Sequence, residues 1–67
     1  MVVQVNDKKI QVKSESPTIQ DVIDEGSYKT RFFVVYLNDE FIPRMHHHRK
    51  KVSAGDRLTV YPLVDGG

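Results

Sequence analysis

The 67-residue chain has no cysteine and no tryptophan. Without cysteine, a disulfide framework, a thiolate nucleophile and thiolate metal ligands are all excluded. Such a small domain must then hold itself together through well-packed apolar faces. No apolar run is long enough to span a bilayer. The opening residues, Met1-Val2-Val3-Gln4-Val5, lack the basic start and long apolar core of a secretory signal. Neither sign of charge is in excess: ten Lys and Arg face nine Asp and Glu, a formal net charge of +1. No strong field therefore draws nucleic acid or anionic lipid. These features make the cytoplasm the expected compartment, with no membrane partner.

What is present is ordinary for a water-soluble globular domain, with 39% apolar and 28% charged residues. At this length a fold buries only about 60% of its unfolded surface, which leaves little room for an internal active-site cavity. A binding or carrier module is favoured over an enzyme. No repeat, low-complexity tract or linker divides the chain, so residues 1–67 are expected to form a single domain.

Val3 and Val5 alternate with Gln4 and Asn6, and Ile10 and Val12 alternate with Lys9, Gln11 and Lys13. The polar turn Asn6-Asp7-Lys8 between them makes a β-hairpin. Ser14 to Thr18 breaks the strand, with Pro17 expected in a first helical turn and Ser16 or Thr18 as the cap. Asp21 suits the positive end of the helix dipole. Ile19, Val22 and Ile23 form one apolar stripe, and Gly26 stands just beyond the helix end. The helix is about two turns long and needs tertiary packing to persist.

Arg31 to Leu37 is apolar at nearly every position, with Phe33, Val35 and Leu37 on one face and Phe32, Val34 and Tyr36 on the other. Asn38-Asp39-Glu40 turns the chain into a short return, Phe41-Ile42-Pro43. In the last strand Leu58 and Val60 oppose Thr59 and Tyr61, and pairing is expected to fade at Pro62, which lacks an N–H. Strands surrounding one helix indicate an α+β roll. The expected architecture is a β-grasp, a mixed sheet of four to five strands gripping one main helix.

The chain ends in Val64-Asp65-Gly66-Gly67. Glycine is the residue most costly to order, so this tail is expected to remain flexible. Fully extended, it reaches about 13 Å, at roughly 3.3 Å per residue. Gly66 and Gly67 carry no side chain that would stop them entering a narrow channel in another protein.

The leading hairpin, the segment Val35 to Arg44 with its Ile42-Pro43-Arg44 step, the turn Ala54-Gly55-Asp56 and the terminal Gly66-Gly67 together resemble the ubiquitin-like sulfur carriers of the ThiS and MoaD type. The similarity is greatest to ThiS, the thiamine-biosynthesis branch. The resemblance implies that a ubiquitin-activating-like enzyme (ThiF- or MoeB-like) uses ATP to adenylate the carboxylate of Gly67. A sulfur donor, commonly a cysteine desulfurase persulfide, then converts the acyl-adenylate to a thiocarboxylate. A ThiG-like thiazole synthase takes that sulfur. The carrier binds no cofactor and is not itself an enzyme. Many relatives have a small neutral residue where this chain has Asp65. Its charge would lie near the phosphates of ATP, so a compensating basic residue is expected in the activating partner.

Phe32, Val34, Tyr36, Thr59, Tyr61 and Leu63 are expected to form an apolar face that docks partners, as the resemblance also implies. Cross-strand pairing that merely stabilises the sheet would use the same residues. His46-His47-His48 looks like a metal motif, but consecutive side chains diverge and further ligands are lacking. No metal site is expected, and the run reads as a solvated loop that gains charge at acid pH. Arg44, Arg49, Lys50 and Lys51 suit an acidic protein partner or a guarded strand edge better than RNA. The alternatives are a carrier for molybdopterin or another acceptor, and a noncatalytic protein- or RNA-binding module.

Overall fold

A computed structural model of the chain describes residues 1–26 and 32–63. Strands β1 (Val2–Val5) and β2 (Lys8–Gln11) precede the helix α1 (Ile19–Gly26). Strands β3 (Phe33–Leu37) and β4 (Glu40–Ile42), a 3₁₀ turn (Arg44–His46) and strand β5 (Arg57–Pro62) follow. The five strands form one sheet in the order β2-β1-β5-β3-β4. β1 runs parallel to β5, and every other pair is antiparallel. This mixed sheet with one helix is the expected α+β β-grasp, with five strands.

The alternation foreseen in β1 and β5 sends Val3, Val5, Leu58 and Val60 inward. Val35, Leu37 and Ile42 join them, and Ile19, Val22 and Ile23 of α1 close the core from above. Each such side chain contributes about 1.5–3 kcal/mol on full burial. Val12 and Val52 seal the ends. Val12 is held because its N–H and carbonyl pair with the Met1 carbonyl and ammonium at 2.7 and 2.9 Å.

A helix leaves its first four N–H groups without intrahelical partners, and here all four are met. Thr18 and Asp21 cap each other, Asp21 N–H to Thr18 Oγ1 at 3.2 Å and Thr18 N–H to Asp21 Oδ2 at 3.0 Å. The N–H groups of Ile19 and Gln20 donate to the carbonyls of Lys50 (3.0 Å) and His47 (2.9 Å). Pro17 lies ahead of the cap rather than in the first turn. It is fully buried, and its carbonyl accepts from Val52 N–H at 2.8 Å. Gly26 is the last helical residue rather than the one beyond.

The expectation that pairing fades at Pro62 is not met. β5 pairs with β3 as far as Phe33 opposite Pro62, and Leu63 N–H donates to the Phe32 carbonyl at 2.8 Å. The parity of the ladder explains this. Asn38 opposite Arg57 and Phe32 opposite Leu63 are hydrogen-bonded pairs, so Phe33 opposite Pro62 is a non-bonded pair. The donor that proline lacks would point away from β3.

On its other flank β5 meets β1 only at Gln4 opposite Arg57 and Val5 opposite Leu58. Asn6 then takes over. With a left-handed φ of 54°, it donates its N–H to the Leu58 carbonyl at 2.8 Å. Its Oδ1 accepts from Val60 N–H at 2.8 Å, and its Nδ2 reaches the Val60 carbonyl at 3.4 Å. The side-chain amide continues the ladder where the backbone of β1 turns away. Asn6→Ala should therefore destabilise the fold by about 2 kcal/mol, from two lost bonds and a strained φ. A denaturant midpoint indistinguishable from that of the parent would refute this role.

Candidate functional site

The outward face of the sheet is set by register. Val34 lies opposite Tyr61 and Tyr36 opposite Thr59 across β3 and β5, while Tyr36 lies opposite Phe41 across β3 and β4. Directly opposed residues share a face, so these side chains form one cluster. The Tyr36 ring meets Phe41 edge-to-face at 5.8 Å and Tyr61 at 5.6 Å. Such pairs add about 0.5–1.5 kcal/mol beyond area burial. Val34, Tyr36 and Thr59 are half-buried, while Phe32, Phe41, Tyr61 and Leu63 are exposed.

The face expected from the sequence is thus assembled, with Phe41 added. Phe41 escaped the sequence reading because a strand of three residues shows little alternation. The signal was available in Ile42: an inward Ile42 sends Phe41 outward, and a tight turn at Asn38-Asp39 sets it against Tyr36.

That turn is firmly held. Asn38 and Asp39 have φ of 51° and 70°, the left-handed pair a two-residue hairpin loop needs. Asn38 N–H donates to the Arg57 carbonyl at 2.8 Å, and Asn38 Oδ1 accepts from Arg57 N–H at 2.9 Å. Asn38 Nδ2 donates to Asp56 Oδ1 at 3.1 Å, and Asp56 Oδ2 accepts from Ser53 N–H at 2.7 Å. These bonds, with the Ser53 bond the larger influence, hold the Asp56 carboxyl below its usual range. Gly55, with φ of +90°, supplies the backbone that only glycine adopts freely. The Gly55-Asp56 pair therefore binds the β3–β4 turn to the start of β5. The exposed Arg57–Asp39 ion pair, at 3.0 Å, adds little.

β5 leads from this face directly into Val64, Asp65, Gly66 and Gly67, which lie outside the described residues. The last described residue, Leu63, is fastened to Phe32 through its backbone.

The histidine run departs from the expected solvated loop. His46 and His48 are exposed, but His47 is 2% exposed and belongs to the core. Its Nε2–H donates to the Ile42 carbonyl at 3.1 Å, and its ring meets Phe33 edge-on at 6.2 Å. Among the described residues, no group of three His, Asp or Glu converges as metal ligands would. Burial disfavours the imidazolium and lowers the pKa of His47. The charges of Arg44 and His48 act in the same direction, and the Ile42 bond opposes them.

A buried histidine with a lowered pKa takes up its proton less readily than the unfolded chain does. Stability is then complete above the unfolded value of 6.5 and declines as pH falls through it. The denaturant midpoint should drop between about pH 7.5 and 5.5, and His47→Gln should flatten that dependence. Identical slopes for parent and variant would contradict the assignment.

The model of the ThiS family matches residues 2–67. The chain belongs to the ThiS family. It is 26% identical over 66 residues to the sulfur carrier protein ThiS of Bacillus subtilis (strain 168), covering 98% of this chain and 100% of that protein. It also resembles the crystal structure of the thiamine biosynthesis protein ThiS from Geobacter metallireducens. The TM-score is 0.79 at 25% identity, with both chains fully covered. ThiS-type proteins are small sulfur carriers, and the family implies an adenylating enzyme and a sulfur acceptor as partners. The segment Ile42-Pro43-Arg44 has a clear structural use here. Ile42 is buried and supplies the carbonyl for His47, and the carbonyl of Pro43 accepts from His46 N–H at 2.9 Å.

Proposed function

We propose that this protein carries sulfur on the C-terminal carboxylate of Gly67, for thiazole formation in thiamine biosynthesis. The observation that best supports the reading is the placement of β5. The strand is held on both flanks, borders an exposed aromatic face, and is the last element before Gly66-Gly67 in the sequence.

A carboxylate is a poor acyl donor because oxide is a poor leaving group. Attack of a Gly67 oxygen on the α-phosphorus of ATP expels pyrophosphate and forms a mixed anhydride with AMP. A persulfide sulfur then adds to the carbonyl and expels AMP. A thiol attacks the donor's sulfur, breaking the S–S bond as a disulfide forms and releasing the thiocarboxylate. That sulfur is a nucleophile for the thiazole-forming acceptor.

The carrier supplies the reacting carboxyl group, and the adenylating enzyme, the persulfide donor and the thiazole synthase supply the catalysis. Phe32, Val34, Tyr36, Phe41, Thr59, Tyr61 and Leu63 form the docking face. Aromatic residues with part of their surface already packed lose little side-chain entropy on binding. The name of the Geobacter relative, a thiamine biosynthesis protein, favours the thiamine branch over other acceptors.

Intact-mass measurement after incubation with ATP, a ThiF-like activating enzyme and a sulfur source tests the chemistry. The chain should gain the mass difference between sulfur and oxygen, and a chain lacking Gly67 should not. An unchanged mass for the full chain would reduce it to a noncatalytic binding module. In the same assay Tyr61→Ala should lower kcat/KM for activation by about tenfold, mainly through KM. An unaltered kcat/KM would remove the sheet face from the docking surface.

A further inference from the structure

The segment from Arg44 to Lys51 has no part in the tail chemistry. Cations guarding an open strand edge would be one use for it, and Lys50 shares a hollow with the residues of the edge strand β4. β4 itself consists of Glu40, Phe41 and Ile42, and the cations follow it on a folded segment. The carbonyls of Pro43 and Arg44 accept from the N–H groups of His46 and His47, and the His46 carbonyl accepts from Arg49 and Lys50. Buried His47 pins the segment to Ile42 with its ring and to α1 with its carbonyl.

On this frame Lys51 is already engaged, its Nζ donating to the Ser16 carbonyl at 3.0 Å. Arg44, Arg49 and Lys50 are exposed, and the ion pair found among the described residues involves none of them. No Asp or Glu occurs between Glu40 and Asp56. Met45, between Arg44 and His46 in sequence, is 72% exposed. A shallow hollow is lined by Glu40, Phe41, Ile42, Pro43, His46 and Lys50. Burial is the main reason that the proton affinity of His47 is reduced, and Arg44 and His48 add to it in smaller measure. Like charges held close on a fixed frame repel one another, and an oppositely charged surface relieves that repulsion.

We propose that this face, with Arg44, Met45, His46, Arg49 and Lys50 at its centre, docks an acidic segment of a partner protein carrying an apolar side chain between its carboxylates. The apolar side chain enters the hollow against Phe41 and Pro43, and exposed Met45, between Arg44 and His46 in sequence, adapts to the bound segment through its flexible thioether. Arg44 and Arg49 take carboxylates through paired N–H donors. Nucleic acid fits less well. Three permanent cations neutralise only about three phosphates. Met45 offers no flat platform for a base, and the Phe41 ring already meets Tyr36 edge-to-face. The inference uses none of the tail residues, and the hollow shares only Phe41 with the sheet face assigned to docking.

The test is an NMR titration of the isotope-labelled full chain with a synthetic peptide holding one leucine between glutamates. A single-stranded RNA oligonucleotide of equal net charge, at the same ionic strength, serves as the comparison. Amide shifts should saturate and concentrate in residues 41–50. The double variant Arg44→Glu, Lys50→Glu should weaken binding by at least about tenfold. Met45→Ala, which leaves every charge in place, should weaken it by a few-fold. Unchanged core shifts at Val35 and Leu58 verify that the variants are folded. Absent shifts, shifts centred on α1 or β2, indifference to charge reversal, or tighter binding of the RNA would each overturn the proposal.

Discussion

The structure depends on β5 holding the middle of the sheet, between β1 on one side and β3 on the other. β3 runs antiparallel along its whole length, and β1 gives it two parallel residue pairs before the Asn6 side chain takes over. Both flanks are needed, because Leu58 and Val60 complete the core only when the strand is fixed in this register. The same register sends Thr59 and Tyr61 outward beside Tyr36. One arrangement of hydrogen bonds therefore builds the core, exposes the aromatic face and determines where the chain leaves the sheet.

A second set of bonds fastens the opposite layer. The N-terminus of α1 is completed by carbonyls of His47 and Lys50, not by its own turn alone. A helix of eight residues has little stability by itself, and this docking, with the stripe Ile19, Val22 and Ile23, holds it on the sheet. The basic segment is thus structural on its inner side, through His47, and open to solvent on its outer side. Buried His47 helps to anchor the backbone that carries the outer charges.

The parts legible in the sequence were those governed by local periodicity. Alternation revealed the first hairpin and β5, the i, i+3, i+4 stripe revealed α1, and the uniformly apolar β3 was rightly split into two working faces. What could not be read depended on partners distant in sequence. Pro62 should end a ladder, yet it occupies a position where no donor is required, and that parity follows only from the register with β3. His47 belongs to a polar run, but its burial is made possible by the Ile42 carbonyl and the edge of Phe33. Pro17 looked like a first-turn residue because it has no N–H to leave unpaired there, whereas it lies ahead of the cap and its carbonyl serves Val52 across the chain. Phe41 was hidden by the brevity of β4. At the site, the outward face was legible almost complete. The terminal residues 64–67 were singled out by composition, and they lie outside the described residues.

The central claim is that face, backbone clamp and terminal carboxylate act as one unit, with the distance from Leu63 to Gly67 matched to the partner's active site. The most direct measurement is the rate of ATP–pyrophosphate exchange by the adenylating enzyme on a chain with one glycine inserted between Leu63 and Val64. The insertion lengthens the reach by about 3.3 Å and leaves the sheet untouched. The account predicts a KM near that of the parent and a kcat lowered by about a hundredfold, as expected when a reacting group is displaced on this scale. An exchange rate equal to that of the parent would contradict it.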